Sequence, residues 1–322
     1  MKIMFAILYL ISTILSAQSL NKQFHVEEMV EGGSDKIGGF NIVEYSVLSI
    51  DEKVIYKISN KTEYDIPYSK LEVFNNGGSV LINSFYGTLT FFDNSGTNLK
   101  KLKLSDNIGV EYERSIKSVV DGNTLVLLFN QQGDKFSTIQ KYNFIGVIQT
   151  SFEVEILNVN GLAYSETLKQ IYLSHIDWKN DGGMEKFVLL INENGEILKK
   201  YNSTFETGFF TENNLFVAFS NRSLLSINSE TLEINFQKRS MSGKMFIDMT
   251  TNKESIIVIS ASPPKLESGK WYYKNPTIIK LNQSGEQIDK NKIETILFSE
   301  YGFNRLNGNL EFTAGNKHMN IE

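Results

Sequence analysis

The sequence predicts an all-β fold built from repeated antiparallel hairpins, and three observations lead to it. The stretch "FDNSGTNLKKLKL" from Phe92 joins an apolar strand end to a turn closing on Gly96, after which apolar/polar alternation restarts. Closely similar text returns as "INENGEILKKY" from Ile191 and "LNQSGEQIDKNKI" from Leu281. Between these hairpins lie further strand pairs with turns of their own. The composition agrees, since aromatic residues make up 12% of the chain, with 22 Phe, 14 Tyr and only 4 Pro, a bias that suits strands.

Six copies align when the turn residue is the anchor: Glu52, Gly96, Gly146, Gly195, Thr231 and Gly285. Four positions earlier stand Leu48, Phe92, Tyr142, Ile191, Ile227 and Leu281. Three positions later stand Ile55, Leu99, Gln149, Leu198, Ile234 and Ile288, with only Gln149 polar. Glycine supplies the positive φ that a tight hairpin turn needs, which accounts for "NSG", "ENG" and "QSG" between alternating segments.

Six further hairpins are expected in "LEVFNNGGSVLINSF", "KSVVDGNTLVLLFN", "LAYSETLKQIYLSH", "GFFTENNLFVAFS", "IDMTTNKESIIVIS" and "GFNRLNGNLEFTAG". Each inner hairpin joined to the outer hairpin after it makes a four-stranded unit. The anchor spacings of 44, 50, 49, 36 and 54 residues match the period of propeller blades. On these turn glycines and hairpins the chain, over residues 40–322, resembles the six-bladed β-propeller superfamily, which includes TolB-like and NHL-like proteins. The resemblance implies an architecture and carries no catalytic motif. Six inner and six outer hairpins are present, with an outer one first, near Tyr45 to Ile58, and an inner one last, near Tyr301 to Ala314; the two are expected to pair and complete a sixth blade, leaving no sheet edge at the seam.

The remaining segments divide simply. Met1 and Lys2, the apolar run from Ile3 to Leu15 and the small residues Ser16 and Ala17 have the layout of a secretory signal peptide over 1–17. The run is shorter than the roughly 20 residues of a transmembrane helix, so no transmembrane helix is expected in the mature chain, and a periplasmic or extracellular location is. Residues 18–39, with "GGSDKIGG", read as a lead-in arm; the glycines lack phosphate-loop spacing. Cysteine is absent and the net charge is −5. This excludes disulfides and thiolate chemistry, and it leaves no basic field for a nucleic-acid backbone.

In a propeller, the connections between the second and third strands of each blade lie around one mouth of the central channel. The two longest, in the third and fifth blades, are "HIDWKNDGGMEK" and "SPPKLESGKWYYKNP". They bring Trp178, Trp271, Tyr272 and Tyr273 together with His175 and Asp177 as candidate ligand-binding residues. Exposed rings beside hydrogen-bonding groups suit a protein, peptide or glycan, because flat rings bury area at low entropic cost while polar neighbours fix orientation. Pro263, Pro264 and Pro276 would stiffen the second loop.

No catalytic constellation accompanies them. His25 and His318 lie at the ends of the chain and His175 stands alone, which argues against a three-histidine metal centre; no GxSxG elbow is present. The reading is a non-catalytic binding protein without a cofactor. The alternative is a calcium-dependent hydrolase or lyase, because some six-bladed propeller hydrolases hold calcium at the channel mouth with Asn, Asp and Glu oxygens. Asn158, Asp248, Glu206 and Glu300 are its candidate metal ligands, with Glu72 and Asn160 at the same level. Lys70, Arg114 and Lys244 are expected to neutralise those carboxylates.

Overall fold

A computed structural model describes residues 24–31, 41–49, 53–62, 69–84, 86–104, 116–130, 136–178, 183–211, 213–251, 255–268, 270–293, 295–297, 301–306, 309–314 and 317–320. Signal-peptide residues 1–17, the "GGSDKIGG" stretch, Glu300 and Arg114 lie outside them. Every described regular element is a strand.

The first three, β1 (Phe24–Glu31), β2 (Asn41–Ser49) and β3 (Val54–Thr62), form one sheet. The next holds β4 (Ser69–Val73), β5 (Ser79–Asn83), β6 (Thr88–Phe92) and β7 (Asn98–Lys103). It is followed by β8 (Lys117–Asp121), β9 (Thr124–Phe129), β10 (Ser137–Asn143) and β11 (Ile148–Val154). A fourth sheet comprises β12 (Val159–Ser165), β13 (Gln170–Trp178), β14 (Met184–Asn192) and β15 (Ile197–Tyr201). A fifth comprises β16 (Thr207–Phe210), β17 (Leu215–Ser220), β18 (Ser223–Asn228) and β19 (Glu233–Arg239). Then come β20 (Met245–Thr251), β21 (Ser255–Glu267), β22 (Lys270–Asn282) and β23 (Gln287–Lys292), with β24 (Ile296–Leu297) also paired to β22. Finally β25 (Tyr301–Leu306), β26 (Asn309–Ala314) and β27 (Lys317–Asn320) form a three-stranded sheet. Each sheet follows chain order through antiparallel pairs, the arrangement of propeller blades.

Chain contacts separate two compact units. One contains β1 to β11 with the turn Ile191–Glu196, and the other contains the rest of β12 to β27. The first unit buries Phe74, Leu89, Phe91, Leu125, Leu127 and Tyr142 between its second and third sheets. The second buries Tyr172, Leu190, Phe205, Phe216 and Ile227 in one cluster and Val217, Leu224, Phe246 and Val258 in another.

Gly96, Gly146, Gly195, Thr231 and Gly285 each fall between the third and fourth strands of a sheet, and the local chemistry explains why the text repeats. Asp93 Oδ1 accepts from the N–H groups of Ser95 and Thr97, both at 2.9 Å. Asn143 Oδ1 does the same for Ile145 and Val147, at 3.2 and 2.9 Å, and Asn192 Oδ1 for Asn194 and Glu196, at 3.0 Å each. The side chain thus mimics a backbone turn. Together with the Ser95 hydroxyl, the strongest contributor, these bonds hold the Asp93 carboxyl below its ordinary range.

The ladder then slips at the apolar residue four positions before the anchor: register shifts occur at Leu48, Phe92, Tyr142, Ile227 and Leu281. A tight turn followed by a left-handed residue and a bulge is a standard way to close a short hairpin without splaying its strands. Gly146 adopts φ 76°, and a Cβ there would stand 2.8 Å from the ring of Phe91. Position 146 is therefore restricted twice, by conformation and by space.

Among the described residues, the outer hairpin β2–β3 pairs with β1 along eight residues, from Phe24↔Ser49 to Glu31↔Ile42, while β26 of the last inner hairpin pairs with β27. Each end of the chain supplies a strand for its own hairpin, and that satisfies edge N–H and C=O groups locally. The lead-in segment is correspondingly not all connector, since Phe24–Glu31 is a strand. Phe24 and Val26 pack on the cluster of Val43, Tyr45, Tyr56 and Leu71.

Candidate binding site

The fifth-blade segment expected as a loop is strand over nearly its whole length. β21 and β22 are 13 residues each, and their ladder runs out to Lys265↔Tyr272, Leu266↔Trp271 and Glu267↔Lys270. Pro263 and Pro264 fall in the irregularity between Ser262 and Lys265, where a residue without an N–H breaks no ladder bond. On the other edge, β24 pairs with β22 through Tyr272↔Leu297 and Tyr273↔Ile296. The result is a hairpin arm, three strands wide where β24 joins it.

Strand alternation gives its rings different tasks. Tyr273 is buried in a cluster with Ile247, Ile257, Ile259, Ile278, Ile296 and Phe312. Its ring meets Tyr301 edge to face, with centroids 5.7 Å apart. Burial pushes the Tyr273 phenol up to about 12. Tyr301 is raised further, first by burial and then by the nearby Tyr273 and Asp248 charges. Tyr273 anchors the arm. Tyr272, on the opposite face, is half-buried with Lys274 Nζ 5.5 Å from its ring centre, and the same ammonium is 2.6 Å from a Glu267 oxygen. Trp271 is half-buried, and Leu266, directly across the ladder from it, is exposed. Leu266 and Trp271 therefore form the apolar end of the arm.

The third-blade segment is shorter than expected as a loop, because β13 extends to Trp178 and β14 starts at Met184. The side chain of Trp178, and Asp181, lie outside the described residues. Asp177 is exposed. His175 is buried, its ring stacked on Phe187 at 4.6 Å and 29°. Phe187, on the middle strand, also receives Lys200 Nζ 3.7 Å from its ring centre. The imidazole thus packs within the sheet rather than standing free in a loop.

The channel-level candidates are dispersed. Asn158 and Glu206 are exposed, and Glu300 lies outside the described residues. Buried Glu72 accepts from Ser118 Oγ at 3.0 Å and pairs with Lys70 at 2.6 Å, as expected of that lysine. Asn160 donates to the Phe205 carbonyl at 2.9 Å and leaves its own Oδ1 unpartnered. Asp248 is buried; Oδ1 accepts from the Met249 N–H at 2.7 Å and Oδ2 has no partner. Burial raises this carboxyl to about 7, the Met249 bond offsetting only part of the effect. Lys244 does not neutralise it, since its Nζ donates to the Asn275 carbonyl at 2.6 Å.

Calcium needs six to eight oxygens with ionised carboxylates among them. Among the described residues no three His, Asp or Glu groups stand close enough to share an ion, and Asp248 is buried with no second carboxylate among its hydrogen-bond partners. The described donor set does not fit a calcium cage.

Several of these features carried weak sequence signals. The Asp or Asn three positions before each turn glycine was legible as a repeated letter. Phe187 beside His175 and the extra strand β24 required knowledge of which strands are neighbours.

No protein-family model matches the chain, and no curated protein matches its sequence. Solved structures do share its architecture. Hsv2p from Kluyveromyces lactis, a β-propeller, superposes with a TM-score of 0.53 at 10% identity, covering 85% of each chain. Hsv2 from Kluyveromyces marxianus gives 0.51 at 8% identity, covering 88% of this chain and 95% of that one. A protein of unknown function from Bacteroides caccae gives 0.43 at 13% identity, covering 84% and 94%. The likeness to the first two, with sheets of antiparallel strands in chain order, places this fold in the β-propeller class.

Proposed function

We propose that this chain is an exported, non-catalytic β-propeller that binds a protein, peptide or glycan partner through the β21–β22 arm and the end of β13 that carries Asp177 and Trp178. The antiparallel sheets are read as its blades. The observation that carries the reading is the Leu266–Trp271 pair: two large apolar side chains opposite one another at the end of an arm. The arm is braced by β24 on one edge and by the Glu267–Lys274–Tyr272 contacts on one face. An indole held in a stiff ladder loses little entropy when a partner covers it. The dispersal of the described carboxylates and the stacked, buried His175 favour this over the calcium-dependent hydrolase.

The test uses tagged full-length chain expressed in its own host. Partners recovered from the envelope fraction are compared between wild type and the Leu266→Ser/Trp271→Ala variant. Loss of a stoichiometric partner with an unchanged melting temperature is expected; retention of every partner would overturn the reading. N-terminal sequencing of the secreted chain, expected to begin close to Gln18, checks export separately.

A further inference from the structure

A second surface lies where the sheet of β16 to β19 meets the sheet of β20 to β23. The two share one apolar cluster, to which Phe236 and Leu224 contribute from the first and Phe246, Val258, Leu281 and Ile279 from the second. A Cβ on Gly285 would stand 2.6 Å from the Phe236 ring. That contact shows which face of β19 looks across the groove. Strand alternation puts Lys238 on the face of Phe236, and its ladder partner is Leu224 of the same cluster.

On the other wall, directly paired residues share a face. Lys290 pairs with Ile279, a member of the cluster, and Lys292 pairs with Thr277. Lys244 enters at the groove's end, where Asn275 O takes its ammonium at 2.6 Å, two residues from Thr277. Burial, then Lys290, then Lys292 press the Lys244 pKa below its ordinary value. Lys244, Lys290 and Lys292 thus act on one another at one wall, and Lys238 is placed on the facing strand.

Like charges gathered this way repel, and acidic neighbours usually relieve them. Between β15 and β19 that relief exists, as Lys199 Nζ is 2.7 Å from Glu233. Here it does not. The groove-facing positions of β19 beyond its bulge are Phe236 and Lys238, and those of β23 are Lys290 and Lys292. Asp289 turns to the other face, where it accepts from the Asn291 amide at 2.8 Å. Among the described residues no carboxylate lies within ion-pair distance of these four lysines, in a chain whose net charge is −5.

We propose that the groove between β19 and β23, lined by Lys238, Lys244, Lys290 and Lys292, is a binding site for a tetrahedral oxyanion of the sulfate or phosphate class. Alternate residues on β23 are about 6.8 Å apart, so Lys290 and Lys292 present two ammonium donors along the groove and Lys238 a third from across it. Mobile ammonium groups act as point-charge donors to such anions without demanding one bidentate geometry. The apolar floor of Phe236 and Ile279 excludes water beneath the bound group and strengthens each contact. The site is distinct from the arm and does not depend on it.

Isothermal titration calorimetry on the full chain, at constant ionic strength set with chloride, tests this with three probes: inorganic sulfate, pyrophosphate and dextran sulfate. Lys290→Gln/Lys292→Gln is compared with Lys101→Gln/Lys103→Gln, which removes the same charge from an outer strand of another sheet. The expected result is binding by wild type that weakens about tenfold or more in the β23 variant, as removal of close charges to a desolvated anion should give. The β7 variant should stay within about twofold of wild type, as for distant screened charges. Binding of pyrophosphate or sulfate assigns a free oxyanion, whereas binding of dextran sulfate alone assigns a sulfated polymer. Both support the site. No binding by any probe, or equal weakening in the two variants, would overturn it. Trp271→Ala is expected to leave these titrations unchanged, so failure of the arm reading and failure of this one are separable.

Discussion

Phe91 and Gly146 come from adjacent sheets of the first unit, and the ring lies so close that a Cβ on the glycine would stand 2.8 Å from it. Tyr56 and Phe236 meet Gly96 and Gly285 in the same way, at 2.9 and 2.6 Å. The turn that closes one blade is thus also the surface on which an aromatic ring of another sheet packs, so a single residue type serves both.

Substitution separates the two demands. Gly243 has φ 72° and nothing within 4 Å of where its Cβ would stand. Gly243→Ala is expected to lose about 1–2 kcal/mol, the cost of a left-handed L-residue. Gly146→Ala is expected to lose that and about 1–3 kcal/mol more from overpacking on Phe91. Urea denaturation of both variants measures the difference, and equal losses would show that the ring yields freely.

The turn's side-chain bonds make a second prediction. Asn143→Ala removes two acceptor contacts, to Ile145 and Val147. A loss of about 1–2 kcal/mol is expected, with no change in denaturant m-value, since the amount of surface exposed on unfolding stays the same.

Tyr273 and Trp271 should part company in stability. Tyr273→Ala empties a buried site among Ile247, Ile278 and Ile296 and should cost about 3–5 kcal/mol. Trp271→Ala, at a half-buried position near the end of the arm, should fall within about 1 kcal/mol of wild type. Thermal melts read both, and a large loss from Trp271→Ala would recast the indole as core.

Asp248 predicts a pH dependence. Burial raises its carboxyl to about 7 from an ordinary value of 3.8, so between those values the folded state holds the proton more tightly than the unfolded one. The sign follows: its stability contribution is complete below about 4 and is lost as pH rises through about 7, a change on the order of several kcal/mol. Asp248→Asn keeps the shape without titrating. The difference in unfolding free energy between wild type and variant, measured from pH 4 to 8, should therefore decline with pH; a flat difference would mean that the carboxyl is ionised throughout.

How much of this was legible beforehand varies by element. All twelve predicted hairpins exist as strand pairs, from β2–β3 to β25–β26, because period-two alternation and turn chemistry act within a few residues. The arm was misjudged because Pro263 and Pro264 look like loop punctuation; only the pairing across Ser262 and Lys265 shows that they occupy a bulge. Trp271 could be singled out from the text, but the same text ranked Tyr273 beside it, and alternation along β22 places that ring in the core.

By itself the sequence determined the class of fold, the repeat, the position of each turn and the absence of cysteine chemistry, since each depends on local conformational preference or composition. Only the tertiary structure decided that β1 and β27 complete their own sheets, that Asp248 is buried without a full set of partners, and that Lys238, Lys244, Lys290 and Lys292 share one groove. These depend on which strands become neighbours, and residues some 50 positions apart carry no local mark of meeting until hydrogen-bond pairing and packing bring them together.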